Sequence, residues 1–280
     1  MNEHKNILTS TALIPLWAKA VEFFSSDPIL KDGHAYEILQ RLGYSLDLYD
    51  KKKQNPSQVG CCLRARWMDE ETLRFIDSNP ACQIIQLGAG LDDRFRRIGM
   101  PEGVIHWYDL DLDEVASMRR KIIPPSSRNE ILSMDMFDTT WMKRLHKNNL
   151  PTLIIIEGVL MYIEHSQIQT LIENISSHLG AAMLLFDSVP YIAVGKAKFH
   201  DSVKIRDARV EYVWGIKNPE SIYAISKKLR LQEFVYMSDL PQAKKFRSIL
   251  RLMWRIPYFY RNANQFLVKA EIECSDSEPD

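Results

Sequence analysis

A short apolar run, Gln83-Ile84-Ile85-Gln86-Leu87, stops directly on Gly88-Ala89-Gly90, and the next apolar stretch ends in Asp109 and Asp111. Glycines immediately after a buried strand allow a tight turn and close approach of a ligand to the backbone. An acid at the tip of the following strand, about twenty residues on, has the spacing of a ribose ligand. Together these features point to an open α/β sheet, in which ligands settle at the carboxyl ends of the strands near the topological switch point. Gly-x-Gly alone would say little; the strands on either side give it meaning.

The rest of the chain fits that frame. Val104–Asp109, Glu130–Met134, Thr152–Glu157 and Ala182–Asp187 read as further strands. Helical spacing separates them at Asp113–Lys121 and again at Ser166–Leu179, where Ser166 is the expected N-cap. Strands alternating with helices imply a parallel sheet covered on both faces. Upstream, Leu13 to Asp77 reads as helical, broken by turns at Asp27-Pro28 and Asp32-Gly33. Strand pattern lapses after Pro190 and returns at Gln232–Tyr236 and Gln265–Lys269. The expected architecture is a doubly wound α/β core over 79–273, mostly parallel with an antiparallel C-terminal strand. An N-terminal helical segment (1–78) would cover it, 189–219 would form a helical cap insertion, and 274–280 would be a frayed tail.

Apolar residues make up 46% of the 280-residue chain and charged residues 26%, which is ordinary for a folded domain. Formal net charge is zero and the basic residues form no long block, so a nucleic-acid partner is not expected. Cys61, Cys62, Cys82 and Cys274 lack zinc-ligand spacing and suggest no disulfide framework, so no metal is expected. The first residues do not read as a signal peptide and the apolar runs are shorter than a membrane span, so neither is expected. A cytoplasmic protein with a small-molecule partner and no membrane partner is the expectation; oligomeric state is not encoded in any pattern.

Two cofactors compete for the glycine turn. A nicotinamide dinucleotide wants a third glycine and an uncluttered helix N-terminus for its pyrophosphate. Asp93 occupies that third position, beside Asp92. S-adenosylmethionine carries a sulfonium and an ammonium, so neighbouring acids suit it better. Asp111 would accept from a ribose in either case, and Asp109 is a weaker candidate.

Leu87-Gly88-Ala89-Gly90-Leu91-Asp92-Asp93-Arg94 resembles the glycine motif of the leucine carboxyl methyltransferases and the related tetracenomycin-type polyketide O-methyltransferases. Trp107 to Val115 with Met118-Arg119-Arg120-Lys121 is similar to their second-strand motif, Glu157 to Tyr162 to their fourth, and Arg64-Ala65-Arg66-Trp67-Met68-Asp69 to their Arg-x-Arg-x-x-Asp helix. Asp93 replaces a threonine of that pattern and Asp113 a proline. The resemblance implies a Rossmann-like methyltransferase sheet that uses S-adenosyl-L-methionine. By the same resemblance Arg64 would pair with the methionine carboxylate and Gly88 would let backbone contact the methionine portion, with Ala89 and Gly90 also at the cofactor. Asp111 would hold the ribose, with Leu112 also at the cofactor, Asp135 and Met136 would meet the adenine, and Glu157 would lie near the ammonium. Glu157 also stands out by itself: a carboxylate ending the run Ile154-Ile155-Ile156 needs a partner.

Methyl transfer is an in-line displacement governed by alignment, so no catalytic residue is assigned. A carboxylate acceptor needs no base, whereas a hydroxyl must lose a proton; His165 and His200 are weak candidates for taking it. Tyr162 is the expected neighbour of the acceptor. Tyr191, Arg206 and Arg209 in the cap insertion are further substrate-binding candidates, although that segment reads equally well as an amphipathic helix with solvated cations. The expected activity is O-methylation of a carboxylate or hydroxyl on a small secondary metabolite. A protein C-terminal carboxylate is the alternative acceptor; a nicotinamide oxidoreductase and a non-catalytic cofactor-binding protein are more distant ones.

Overall fold

Seven strands form one sheet in the order β3-β2-β1-β4-β5-β7-β6. The computed structural model describes residues 2–46, 55–145, 150–195 and 211–274. Helices α1 (Asn2–Phe23), α2 (Gly33–Arg41) and α3 (Asn55–Ser78) come first. The core then runs β1 (Cys82–Leu87), α4 (Arg94–Arg97), β2 (Val104–Asp111), α5 (Asp113–Ile122), β3 (Asn129–Ser133), β4 (Thr152–Ile156), α6 (His165–Leu179) and β5 (Ala182–Ser188). It closes with β6 (Leu229–Tyr236), α7 (Ser248–Met253), α8 (Pro257–Asn262) and β7 (Phe266–Ile272).

β1 pairs in parallel with both β2 and β4, so strand order reverses at the end of β1, where the glycine turn lies. β1 and β4 are buried at every position, which explains why neither alternates apolar with polar residues: a parallel strand covered on both faces has no solvent side to alternate with. β7 runs antiparallel to both β5 and β6. One apolar core, holding Ile85, Tyr108, Ile154 and Phe186, lies on the α6 side of the sheet; a second, holding Ile84, Trp107, Ile155 and Leu185, lies against α3. The period-two alternation along β1, β4 and β5 assigns one residue to each core in turn.

Boundaries differ from the sequence reading where hydrogen bonding overrides pattern. β2 continues through Asp111 because Asp109, Leu110 and Asp111 pair with Ile131, Leu132 and Ser133 of β3. β6 starts at Leu229, ahead of the expected Gln232, with an irregularity between Leu231 and Glu233. Ser166 is not an N-cap: α6 begins at His165, extended Glu164 takes the cap position, and Ser166 lies in the first turn. Asp32, read only as a turn residue, caps α2 by accepting from Ala35 N at 3.0 Å. The described part of 189–219 contains a 3-10 turn at Tyr191–Ala193 and a stretch whose Val213 N donates to Met161 O at 2.8 Å. No helix among the described residues is long and apolar enough to cross a membrane.

Candidate active site

A cavity of about 360 Å³ opens at the carboxyl ends of β1, β2 and β4. It is lined by all nine residues expected at a cofactor: Arg64, Gly88, Ala89, Gly90, Asp111, Leu112, Asp135, Met136 and Glu157. Residues of α1, among them Pro15 and Lys19, and of α3, among them Gly60 and Cys61, also reach it.

The glycine turn is held in place from two sides. Gly88 and Gly90 have φ of +67° and +56°, in the left-handed region that side chains disfavour. A Cβ at Gly88 would also meet Val159 Cγ2 at 2.6 Å, so this position requires glycine for space as well as for conformation. Asp111 accepts from Gly90 N at 2.7 Å and from Leu112 N at 2.8 Å, tying the end of β2 to the turn. Burial raises the Asp111 carboxyl against the lowering effect of those two backbone bonds. From beneath, buried Arg119 donates to Gly90 O at 2.9 Å and Asp92 O at 2.8 Å and pairs with Asp109. Asp109 also accepts from Trp107 Nε1 and Asn129 Nδ2 and does not line the cavity, so its role is to orient Arg119.

At the far end, Asp135 is exposed and accepts from Phe137 N at 2.9 Å, while Trp141 Nε1 donates to Met136 O at 2.9 Å and fixes that loop. Carboxylate oxygens at Asp135 and Asp111 therefore keep lone pairs for an amine and for hydroxyls respectively.

The opposite end is built from ion pairs that no local pattern reveals. Arg64 donates through Nε to Glu157 at 3.1 Å and through Nη1 to Asp187 at 2.9 Å. Arg94 joins Glu157 to Asp69, Arg97 joins Asp69 to Asp32 and Asp92, and Lys19 reaches Asp92 at 2.6 Å. Burial pushes the Glu157 carboxyl up, but Lys19, Arg94 and Arg64 more than reverse this and hold it down at about 2. Asp92 is likewise held low: Arg97, Lys19 and Arg94 outweigh its burial. Asp187 goes the other way, since burial outweighs Arg64 and the bond from Gly158 N.

Two expectations change. Asp92 and Asp93 are not an open anionic pair: the first is neutralised by Lys19 and Arg97 and the second bonds Arg96 at 3.1 Å. The bias towards a cation lies instead in the whole network, where Asp32, Asp69, Asp92, Glu157 and Asp187 face Lys19, Arg64, Arg94 and Arg97, one carboxylate in excess when all are ionised. Secondly, Glu157 is already paired within the protein: its oxygens accept from Arg64 and Arg94, one bond each, which leaves each a lone pair for a ligand. Among the described residues that line the cavity, Gln86 has a buried acceptor, Oε1, without a hydrogen-bond partner. An orphaned acceptor at this depth is expensive unless a ligand donor completes it. Together with the glycine cradle, it shows that these residues fit an amino-acid-bearing nucleoside.

At the acceptor end, Tyr162 and Tyr212 lie with ring centroids 5.8 Å apart, beside Met161 and Val189. Burial pushes the Tyr162 phenol up to about 12. Tyr191 does not line the cavity: it is 52% exposed and Lys217 Nζ lies 4.5 Å from its ring centroid. His165 is also elsewhere, its Nδ1 bonded to Trp214 Nε1 at 3.2 Å. Arg206, Arg209 and His200 lie outside the described residues. Sequence reading assigns no site role to Lys19, Gln86, Arg94 and Asp187, and Tyr212 enters it only as one aromatic of the 189–219 insertion. Of these, Asp187 carried a usable signal, because it ends the apolar run of β5 just as Glu157 follows that of β4.

Residues 12–176 match the family described as leucine carboxyl methyltransferase. The chain is 28% identical over 231 residues to the tetracenomycin polyketide synthesis O-methyltransferase TcmP of Streptomyces glaucescens, covering 82% of this chain and 83% of that one. It is 23% identical over 242 residues to the S-adenosyl-L-methionine-dependent methyltransferase dpfgK of Gibberella zeae, covering 81% of each. A DUF574 family protein from Streptomyces avermitilis shares the fold, with a TM-score of 0.57 at 12% identity over 94% of this chain and 97% of that one. The chain belongs to the leucine carboxyl methyltransferase family and is an S-adenosylmethionine-dependent methyltransferase.

Proposed function

We propose that this enzyme methylates an oxygen, a carboxylate or hydroxyl, on a small lipophilic secondary metabolite such as a polyketide or peptide intermediate. The observation that carries the reading is the acceptor end of the cavity, where Tyr162, Tyr212, Met161 and Val189 form an apolar, aromatic wall. Such a wall suits a flat or hydrocarbon acceptor. The likeness to TcmP, named for O-methylation in polyketide synthesis, supports it.

In this reading S-adenosylmethionine supplies the methyl group, and the protein supplies alignment. Arg64 would meet the methionine carboxylate, Gln86 the ammonium, Asp111 the ribose hydroxyls and Asp135 the adenine amine. Tyr162, which keeps its proton up to about 12, would donate a hydrogen bond to the acceptor oxygen rather than remove its proton. That role fits an oxygen that arrives ionised, as a carboxylate does at neutral pH. The family's description favours a carboxylate too, and a peptide C-terminus is the second reading.

The test is incubation of enzyme and isotope-labelled S-adenosylmethionine with an organic-solvent extract of small metabolites and, separately, with peptides ending in a free carboxylate. Label in an extracted small molecule is expected, with release by mild base marking an ester and retention an ether. Label only in the peptides would replace this proposal by the second reading.

A further inference from the structure

Residues 244–262 contain Lys244, Lys245, Arg247, Arg251, Arg255 and Arg261 and no acid, a clustering hidden by the zero net charge of the chain. Of these six, only Lys245 has a salt bridge among the described residues, to Asp27 at 3.3 Å and Glu22 at 3.7 Å. The same segment exposes Ile249, Leu252, Ile256 and Tyr258 by 68%, 58%, 49% and 63%. Neither α7 nor α8 has a buried residue. They are nonetheless anchored: Leu250 and Trp254 pack on the core, Trp254 stacks edge-on against buried Phe246 at 5.0 Å, and its Nε1 donates to Ala263 O at 3.1 Å. The outward apolar side chains are thus presented by a fixed scaffold. A patch of this kind on a folded protein marks a contact surface.

Topology brings that surface to the active-site edge. Tyr236 at the end of β6 and Ser188 at the end of β5 both pair with Phe266 at the start of β7, so residues 237–265 span the carboxyl edge of the sheet. Gln265, at the end of this span, lines the cavity and donates to Asp187 at 3.0 Å.

We propose that residues 244–262 dock the enzyme on an anionic lipid surface, placing the cavity beside the membrane interface. Cations alternating with projecting apolar side chains are the pattern of helices that lie in a lipid headgroup layer: the apolar tips enter the acyl boundary and the cations meet lipid phosphates. Protein interfaces instead gather apolar residues into a core inside a polar rim. A second copy is a poor occupant, because a two-fold contact would bring the same cations face to face. Lack of a spanning helix, the basis for expecting no membrane partner, does not bear on surface docking. The inference stands apart from the identity of the acceptor, although lipid docking would give the cavity access to lipophilic ones.

The test is co-sedimentation of the full chain with vesicles of phosphatidylcholine alone and of phosphatidylcholine mixed with phosphatidylglycerol, at low and high salt. Binding to the anionic vesicles should exceed binding to neutral ones by ~tenfold or more and weaken with salt. The triple variants Arg247→Glu/Arg251→Glu/Arg255→Glu and Ile249→Ser/Leu252→Ser/Ile256→Ser should each lose most of it, while calorimetric affinity for S-adenosylhomocysteine stays as in the parent. Equal binding by parent and both variants would overturn the proposal. So would absence of vesicle binding by the parent, whether accompanied by self-association that the serine variant abolishes or by capture of polyglutamate that the glutamate variant abolishes.

Discussion

Arg64 on α3 and Asp187 on β5 stand 123 residues apart and form a buried ion pair at 2.9 Å. Asp187 also accepts from Gly158 N at 2.6 Å and from Gln265 Nε2 at 3.0 Å, so one carboxylate fixes the guanidinium, the turn after β4 and the start of β7. Asp187 itself does not line the cavity; it positions Arg64, which does.

Asp187→Ala should therefore be strongly destabilising. Its removal leaves Arg64 Nη1, Gly158 N and Gln265 Nε2 without their shared acceptor, which at ~1–3 kcal/mol per unsatisfied buried donor sums to ~3–5 kcal/mol, while Glu157 still compensates the Arg64 charge. For a chain of this size that corresponds to a fall in Tm of roughly 10 °C, measurable by thermal denaturation followed by circular dichroism. Asp187→Asn keeps one carbonyl oxygen for Gly158 N and sets its amide where Gln265 can accept after flipping, so it should fall by less. An alanine variant that melts with the parent would show that Arg64 finds other partners.

Glu157 should make acid sensitivity visible. Its folded-state carboxyl, held at about 2 against an ordinary 4.5, is depressed. A depressed carboxyl contributes stability in full above its unfolded value, and that contribution is lost as pH falls from about 4.5 towards 2. Asp92 acts in the same direction, while Asp111 and Asp187, both raised by burial, oppose it. Comparison of the parent with Glu157→Gln isolates the residue. The stability gap between them should narrow over that acid range, and a gap independent of pH would contradict the pairing described.

The contrast between what the sequence revealed and what it hid follows from range. β1, β4 and β5 were legible because a strand covered on both faces is apolar over most of its length, and the glycine turn because only glycine tolerates its dihedral angles beside Val159. Ion pairs have no such local imprint. Arg64 meets Glu157 across 93 residues and Arg94 meets it across 63, so the partner that Ile154-Ile155-Ile156-Glu157 demanded could be inferred to exist but not named. The sequence-based choice of a ligand ammonium for that partner was incomplete for the same reason. α7 and α8, six residues each, are too short for helical periodicity to register.

Gly88→Ala should damage cofactor binding more than folding. Left-handed backbone costs a non-glycine residue roughly 1–2 kcal/mol, and the new methyl would press on Val159 Cγ2, itself part of the cavity wall. Affinity for S-adenosylhomocysteine, measured by calorimetry, should drop by ~tenfold or more while the far-ultraviolet spectrum is retained. Adding Val159→Ala relieves the contact but not the dihedral strain, so it should recover part of the loss. Complete recovery would mean the backbone conformation is unimportant.

Gln86→Leu separates a ligand contact from a structural one. Gln86 Oε1 is buried without a partner, and its amide makes only a long 3.4 Å contact with Asp92. Replacing an unsatisfied buried acceptor by a side chain of similar size removes a desolvation cost, so the ligand-free variant should melt no lower than the parent. If the oxygen accepts from the ammonium of the cofactor, affinity for S-adenosylhomocysteine should nevertheless weaken by about 1–2 kcal/mol, roughly five- to thirtyfold. Analogues lacking the amino group should bind parent and variant alike. A variant that keeps full affinity would place the ammonium elsewhere, and one that loses stability instead would make Gln86 part of the scaffold.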